Sequence, residues 1–335
     1  MNRTYYDNTQ LSTFKECPRK YYLRHIRGFT GSGTSMPLVF GGAWHNAMDV
    51  VWSNYGKVPN DQLARLSMKA FNLKWTEEGL PEPTELTLEQ LESYGARTPM
   101  VAAEMIYNYI NARKQTFENS TFKLNAVEQP FAVPIYPDST NHWYIGRLDK
   151  VFQLNGSRII GEHKTTSDYK IDGGFKTGWL DSWSPSSQIE GYMFAGNMYY
   201  EDGGVRYVWV DGALVHKKVH DAFKFIPLAA NLSSLDGWLW EARDWIERIN
   251  TEKAKLSESA NTNGNQLLAF PRNTDSCTGK YGPCTFKRLC SNVTNPAKLE
   301  TAPETYIVKF WSPFELLGID KLGKDFTPPE PQAAT

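Results

Sequence analysis

Apolar residues recur at helical spacing in some stretches and alternate with polar ones in others, and the two periods divide the chain. In the opening segment Tyr22 and Ile26 stand one turn apart. Thr13 and Glu16 have the spacing of a capping box, and Pro18 places a helix start or kink at Cys17. Residues 28–42, GFTGSGTSMPLVFGG, read as a glycine-rich loop, after which Trp44, Ala47, Met48 and Val51 mark an amphipathic helix with His45 beside its apolar stripe. Helices are expected over 60–76 and 87–116, separated by the GLPEPTE punctuation.

Three strand-like runs follow: 122–135, HWYIGRLDKVFQL and SRIIGEHKTT, the last two joined by the turn pair Asn155-Gly156. Ser184 and Pro185 open a helix to about 200 with the apolar face Ile189, Tyr192, Met193 and Gly196. VRYVWV at 205–210 and ALVHKKVH at 213–220 read as strands, and Leu235, Trp238, Leu239, Ala242, Ile246 and Ile249 define a long amphipathic helix. This order predicts an α/β fold, a central mixed β-sheet flanked by helices, and excludes a helical bundle or β-sandwich. The closing PPEPQAAT reads as a disordered tail.

Composition adds bounds. With 335 residues and 41% hydrophobic content the chain can bury a large core. A net charge of -1 argues against nucleic-acid binding by bulk charge and leaves only a local basic groove. MNRTYYDNTQ lacks the apolar stretch of a signal peptide and no run of 18 apolar residues occurs, so a cytoplasmic setting is expected. In that setting four cysteines point to metal ligation before disulfides.

The strands carry candidate chemistry. Period-two alternation puts Glu162 and Lys164 of GEHKTT on one face with His163 turned away, and the hairpin can bring Asp149 of GRLDKV onto that face. Two converging carboxylates form a hard-oxygen site for Mg or Mn, with a lysine to orient or activate water, as in phosphodiester hydrolysis. The same residues also fit solvent-facing strand charges, paired with Lys150 or Lys164.

Several motifs in order resemble the RecB-like branch of the PD-(D/E)XK nuclease superfamily: GGAWHNAM, IGRLDKV, GEHKTT and QIEGY. The resemblance spans roughly residues 10–292. It implies a restriction-endonuclease-like core, with a nuclease domain over 1–292 and a C-terminal extension over 293–335. It further implies that His45, Asp149, Glu162 and the backbone carbonyl of His163 bind Mg or Mn. Lys164 would be the catalytic lysine, and Gln188 and Tyr192 would position that lysine or the DNA backbone. Glu128 stands where related nucleases often have a supporting glutamate. The implied activity is that of a metal-dependent deoxyribonuclease, an exonuclease on DNA ends or single strands in replication, recombination or repair. An endonuclease or junction-cleaving enzyme, and a non-catalytic DNA-binding scaffold, are the alternatives.

FKECPRKYYL and CTGKYGPCTFKRLC resemble a four-cysteine subset of the family, which includes AddB-type and CRISPR-associated RecB-like exonucleases. There one upstream and three downstream cysteines bind a 4Fe-4S cluster, which implies that Cys17, Cys277, Cys284 and Cys290 join the N- and C-terminal segments. The downstream spacing departs from that pattern by the insert TGKYGP, and four thiolates also suit structural zinc. Arg19, Lys20, Arg24 and Arg27, with Tyr21 and Tyr22, read either as a base-stacking basic face or as a solvated helix with a tyrosine core edge. Trp238, Trp240 and Trp245 read as packing residues, and His216 and His220 as surface strand residues. No ATP-binding loop occurs, so the chain is not itself a helicase; a helicase or recombination protein is a candidate partner beside DNA.

Overall fold

The computed structural model describes residues 3–33, 35–136, 139–170, 174–200, 204–229, 231–258, 261, 264–279 and 282–317. The expected disordered tail lies outside them. Two compact units are interleaved in sequence. One gathers described residues of Met1–Gly33, Ala132–Gly146 and Asp236–Pro328, the other those of Thr34–Phe131 and Arg147–Leu235.

In chain order the first strand and helices are β1 (Thr4–Tyr6), α1 (Asn8–Glu16), α2 (Pro18–Tyr21), β2 (Phe29–Gly31), α3 (Met36–Asn54), α4 (Asn60–Glu77), α5 (Leu88–Tyr94), α6 (Pro99–Ala112) and α7 (Lys114–Phe117). Then come β3 (Lys123–Tyr136), β4 (Ser139–Leu154), β5 (Ser157–Thr166), α8 (Thr177–Asp181), α9 (Ser187–Tyr199), β6 (Tyr207–Leu214), β7 (Phe223–Ala229) and α10 (Leu232–Lys255). Short pieces end the series: β8 (Thr278–Gly279), β9 (Gly282–Pro283), α11 (Lys287–Asn292) and β10 (Tyr306–Val308). The main sheet has the order β1-β4-β5-β6-β7 with β3 beside β4. It is mixed: β1–β4 and β5–β6 are parallel, β4–β5 and β6–β7 antiparallel. The fold is therefore the expected α/β sheet with helices.

In the second unit the α3 stripe is fully used. Trp44, Ala47, Met48 and Val51 are wholly buried against Leu63, Phe71 and Trp75 of α4 and Met105, Ile106 and Tyr109 of α6. Each large apolar side chain so buried stabilises by about 1.5–3 kcal/mol, which fixes α3 firmly beside the sheet. Asn155 and Gly156 adopt φ of 49° and 73°, the left-handed pair that a tight hairpin between β4 and β5 needs.

In the first unit the opening helix departs from expectation. It starts at Asn8 because Asp7 caps it, accepting the Gln10 N–H at 2.7 Å, while Thr13 lies inside the helix and donates to Thr9 O. Cys17 ends α1, Pro18 occupies the first position of α2, and a π-helical turn over Tyr22–Ile26 follows. Tyr21 and Tyr22 are buried around Phe270, and Arg19 is buried, donating to the Phe270 and Leu267 carbonyls, both at 2.9 Å. The base-stacking reading of this helix is thereby overturned: the tyrosines form core and Arg19 ties the chain together.

Other boundaries shift for local reasons. The loop read over 28–42 contains β2 and the first turns of α3. Of the 213–220 run only Ala213 and Leu214 are strand, as the end of β6, and the chain then leaves the sheet. His216 Nδ1 accepts the Lys218 and Val219 N–H groups at 3.1 Å and closes a turn. The partner strand is FKFIPLA, whose Pro227 is tolerated because β7 is an edge strand. Trp238 is buried and edge-on to Tyr144 at 5.0 Å, but Trp240 is 69% exposed and does not pack as expected. Among the described residues no helix is long and apolar enough to cross a membrane.

Candidate active site

The second unit brings His45, Asp149, Glu162, Lys164, Gln188 and Tyr192 together, with His163 behind them. His45 sits on the flank of the α3 stripe, its side chain 28% exposed and its Nδ1 3.3 Å from Asp149 Oδ2. The same Asp149 oxygen accepts the His163 backbone N–H at 2.7 Å, a bond set by the β4–β5 pairing. Lys164 Nζ donates to Glu162 Oε1. That oxygen also accepts from Gln188 Nε2 at 3.0 Å, and Gln188 Nε2 reaches the Tyr192 hydroxyl at the same distance. One helical turn separates Gln188 from Tyr192, so both meet the strand from α9.

The electrostatics are those of negative charge gathered out of water. Burial raises Asp149, but the charge and hydrogen bond of His45, then Lys164, outweigh it and hold the carboxyl at about 2. Burial lowers His45, yet Asp149 carries it up to about 9. Glu162 is pushed up to about 7 by burial first and the Asp149 charge second, despite Lys164. Both upward shifts arise from gathered negative charge, of the kind a divalent cation would balance.

The donors fit such an ion. Among the described residues no group of three or more His, Cys, Asp or Glu side chains forms a ready metal cage. Glu162 Oε2, however, is buried and has no hydrogen-bond partner, while its twin Oε1 is fully engaged. A buried unpartnered carboxylate oxygen is costly, and a cation at Glu162, with Asp149 and His45 beside it, would satisfy it.

Two acidic residues extend this site. Asp49 was not singled out from sequence, although it follows His45 by one turn on α3, a spacing that could have found it. Burial, then Glu128 and Asp149, raises it to about 7. Glu128 has φ of 53°, a conformation unfavourable for a side chain, and its Oε2 accepts from Arg147 at 3.0 Å.

The opposite face of the same strands holds a polar network that sequence reading missed. Lys150, wholly buried, contacts both His163 ring nitrogens, lies 4.2 Å from the Trp52 ring centre and 3.4 Å from Asp211 Oδ2. Asp211 pairs with Arg113 at 2.5 Å and accepts from the Tyr109 hydroxyl, which in turn accepts from Trp52 Nε1 at 2.8 Å. Alternation explains the division: Asp149, Glu162 and Lys164 point one way, Lys150 and His163 the other.

The four cysteines all belong to the first unit and are free thiols. Cys17 Sγ accepts the Asn273 N–H at 3.4 Å, next to the turn that ends at Cys277. Between Cys277 and Cys284 the chain pairs as β8 and β9, with Thr278 opposite Pro283, and the Cys284 N–H donates to the Cys277 carbonyl at 3.0 Å. Burial pushes the Cys290 thiol up to about 11, offset by Arg19 and reinforced by Cys17, Cys284 and Cys277. Cys284 thus stands beside Cys277, and Cys17, Cys284 and Cys277 lie close enough to act on the Cys290 thiol, although among the described residues no three cysteines are gathered into a metal site. A soft donor set of this kind fits a thiolate-bound metal group, which would replace the protons.

A family model of the PD-(D/E)XK nuclease superfamily matches residues 8–291. Among solved structures, an exonuclease candidate from Eubacterium rectale is 14% identical, with 76% of this chain and 83% of that chain covered and a TM-score of 0.45. The crystal structure of SSO0001 is 17% identical, with 63% and 81% covered and a TM-score of 0.28. No curated protein matches. Matched from α1 to the last cysteine, the chain belongs to the PD-(D/E)XK nuclease superfamily.

Proposed function

We propose that the chain is a Mg- or Mn-dependent deoxyribonuclease acting as an exonuclease on DNA ends or single strands, in replication, recombination or repair. The observation that carries this reading is the unpartnered, buried Glu162 Oε2 beside the Asp149–His45 pair, with Lys164 on the other Glu162 oxygen. His45, Asp149, Glu162 and the His163 carbonyl would hold the ion. Bound there, Mg or Mn supplies Lewis acidity to the scissile phosphate and lowers the pKa of the attacking water.

The side chains divide the remaining work. Lys164 is cationic, because Glu162 and Asp149 outweigh the burial that would lower its pKa. It orients the attacking water and meets negative charge as it builds on phosphate oxygens. Gln188 fixes the Glu162 carboxylate and is itself held by Tyr192. Cys17, Cys277, Cys284 and Cys290 would carry a 4Fe-4S cluster, with structural zinc as the alternative occupant; their place in one compact unit supports a shared group. A nuclease domain over 1–292 with an extension beyond it, and a helicase or recombination protein as partner, complete the proposal.

The test is incubation of the pure protein with end-labelled single- and double-stranded DNA, with and without Mg or Mn. Metal-dependent loss of terminal nucleotides is expected. Cleavage of closed circles at the same rate would favour the endonuclease, and no cleavage of any form would favour a non-catalytic scaffold.

A further inference from the structure

The segment between β5 and α9 builds an aromatic wall that the reaction just described does not use. In the parallel register Lys164 pairs with Gly212, and a Cβ on Gly212 would lie 2.7 Å from Trp179. The bare backbone at Gly212 therefore gives Trp179 its seat. Trp179 stacks on Phe175 with ring centres 5.0 Å apart, and meets Trp183 edge-on at 5.4 Å. The Trp183 ring centre is in turn 5.9 Å from Lys164 Nζ, and its indole Nε1 is buried with no acceptor. Trp183 also walls a cavity of about 230 Å³, together with Ser184, Pro185, Ile189, Glu190 and Asn231.

We propose that this cavity is a nucleobase subsite, which takes the base of the unpaired nucleotide whose phosphate is attacked beside Lys164. The inference rests on the nuclease reading and names the substrate class of that site. The cavity is smaller than the roughly 300 Å³ at which pockets for drug-sized ligands begin, and suits a single heterocycle. Trp183 offers an aromatic face, Pro185 and Ile189 apolar contact, and Ser184 and Asn231 adaptable hydrogen bonds.

The cavity lies at the N-terminal end of α9, where an anion is the obvious rival occupant. Glu190 in its wall opposes one, and favours a neutral base carrying N–H donors. A base in a duplex would first have to leave its stack, at a cost of a few kcal/mol, so the subsite selects single strands and frayed ends.

The test measures binding by fluorescence anisotropy, without divalent metal, of an end-labelled oligothymidylate carrying one abasic residue stepped along from the end. One position is expected to weaken binding by about 5- to 150-fold, the range of a single base–aromatic stack. Trp183→Leu, which keeps apolar contact without the stacking face, should erase that penalty, and Trp183→Phe should retain it. No sensitive position in the parent, or the same penalty in a folded Trp183→Leu protein, overturns the subsite. A parent that binds and degrades DNA without the penalty refutes the subsite alone, whereas one that neither binds nor degrades DNA refutes the nuclease reading with it.

Discussion

Replacing Asp211 with alanine should destabilise the protein severely, although Asp211 lies on the far side of the sheet from the proposed chemistry. Its side chain is wholly buried, 2.5 Å from Arg113 and 3.4 Å from Lys150, and it accepts the Tyr109 hydroxyl. Removing it strands two buried cations. Breaking one buried pair by deleting a partner costs about 3–5 kcal/mol, whereas an exposed pair such as Lys74–Glu78, at 2.8 Å, is worth under about 1 kcal/mol. At ~2–4 °C per kcal/mol, Tm at neutral pH should fall by roughly 6–20 °C in Asp211→Ala and by little in Glu78→Ala. Burial raises the Asp211 pKa, but Arg113 and then Lys150 outweigh it, so the folded value lies below the usual 3.8. Its stabilisation is therefore present above the unfolded value near 3.8 and lost as pH falls through the folded one, and parent and variant should converge in strong acid. Thermal melts across pH read this directly. A Tm within about 2 °C of the parent at neutral pH would refute the account of the network.

Three further outcomes follow from the same geometry. Because Glu162 is raised to about 7 and His45 to about 9, the metal-free fold binds extra protons; the Glu162 contribution alone makes its stability decline as pH rises from about 4.5 to 7. Mn should consequently raise Tm more at pH 8 than at pH 6, since the protons on both His45 and Glu162 compete with the ion; equal shifts at both pH values would contradict a site that exchanges protons for the ion. A Cβ on Gly161 would lie 2.8 Å from Lys150 Cγ and nearer still to its Cε, so Gly161→Ala should cost about 1–3 kcal/mol, and an unchanged urea midpoint would contradict the packing. Anaerobically purified protein should contain iron and labile sulfide that Cys17→Ser loses together with thermal stability; stoichiometric zinc would replace the cluster assignment, and no metal would end the shared-site proposal.

Local patterns announced much of this molecule. The Asn155-Gly156 pair carried the hairpin, and strand alternation then put Glu162 and Lys164 on one face with His163 on the other. The α3 stripe fixed where His45 stands. What stayed hidden depends on long-range burial. Asp211, Lys150 and Arg113 look like surface charges along the chain and become core only through one another, and Tyr21 and Tyr22 look like a binding face until Phe270 covers them. The β7 strand was obscured by Pro227, acceptable only at a sheet edge.

Lys164 offers the most direct measurement. Its ammonium contacts Glu162 and is assigned no part in holding the ion, so Lys164→Ala should keep its fold, its metal-induced Tm shift and its DNA affinity while turnover falls by roughly a hundredfold or more. An exposed strand lysine without such a role would be worth within about half a kcal/mol. Single-turnover degradation of end-labelled DNA by the folded variant with Mn decides between them. The account predicts a collapse of the chemical step alone, and degradation at the parental rate would contradict it.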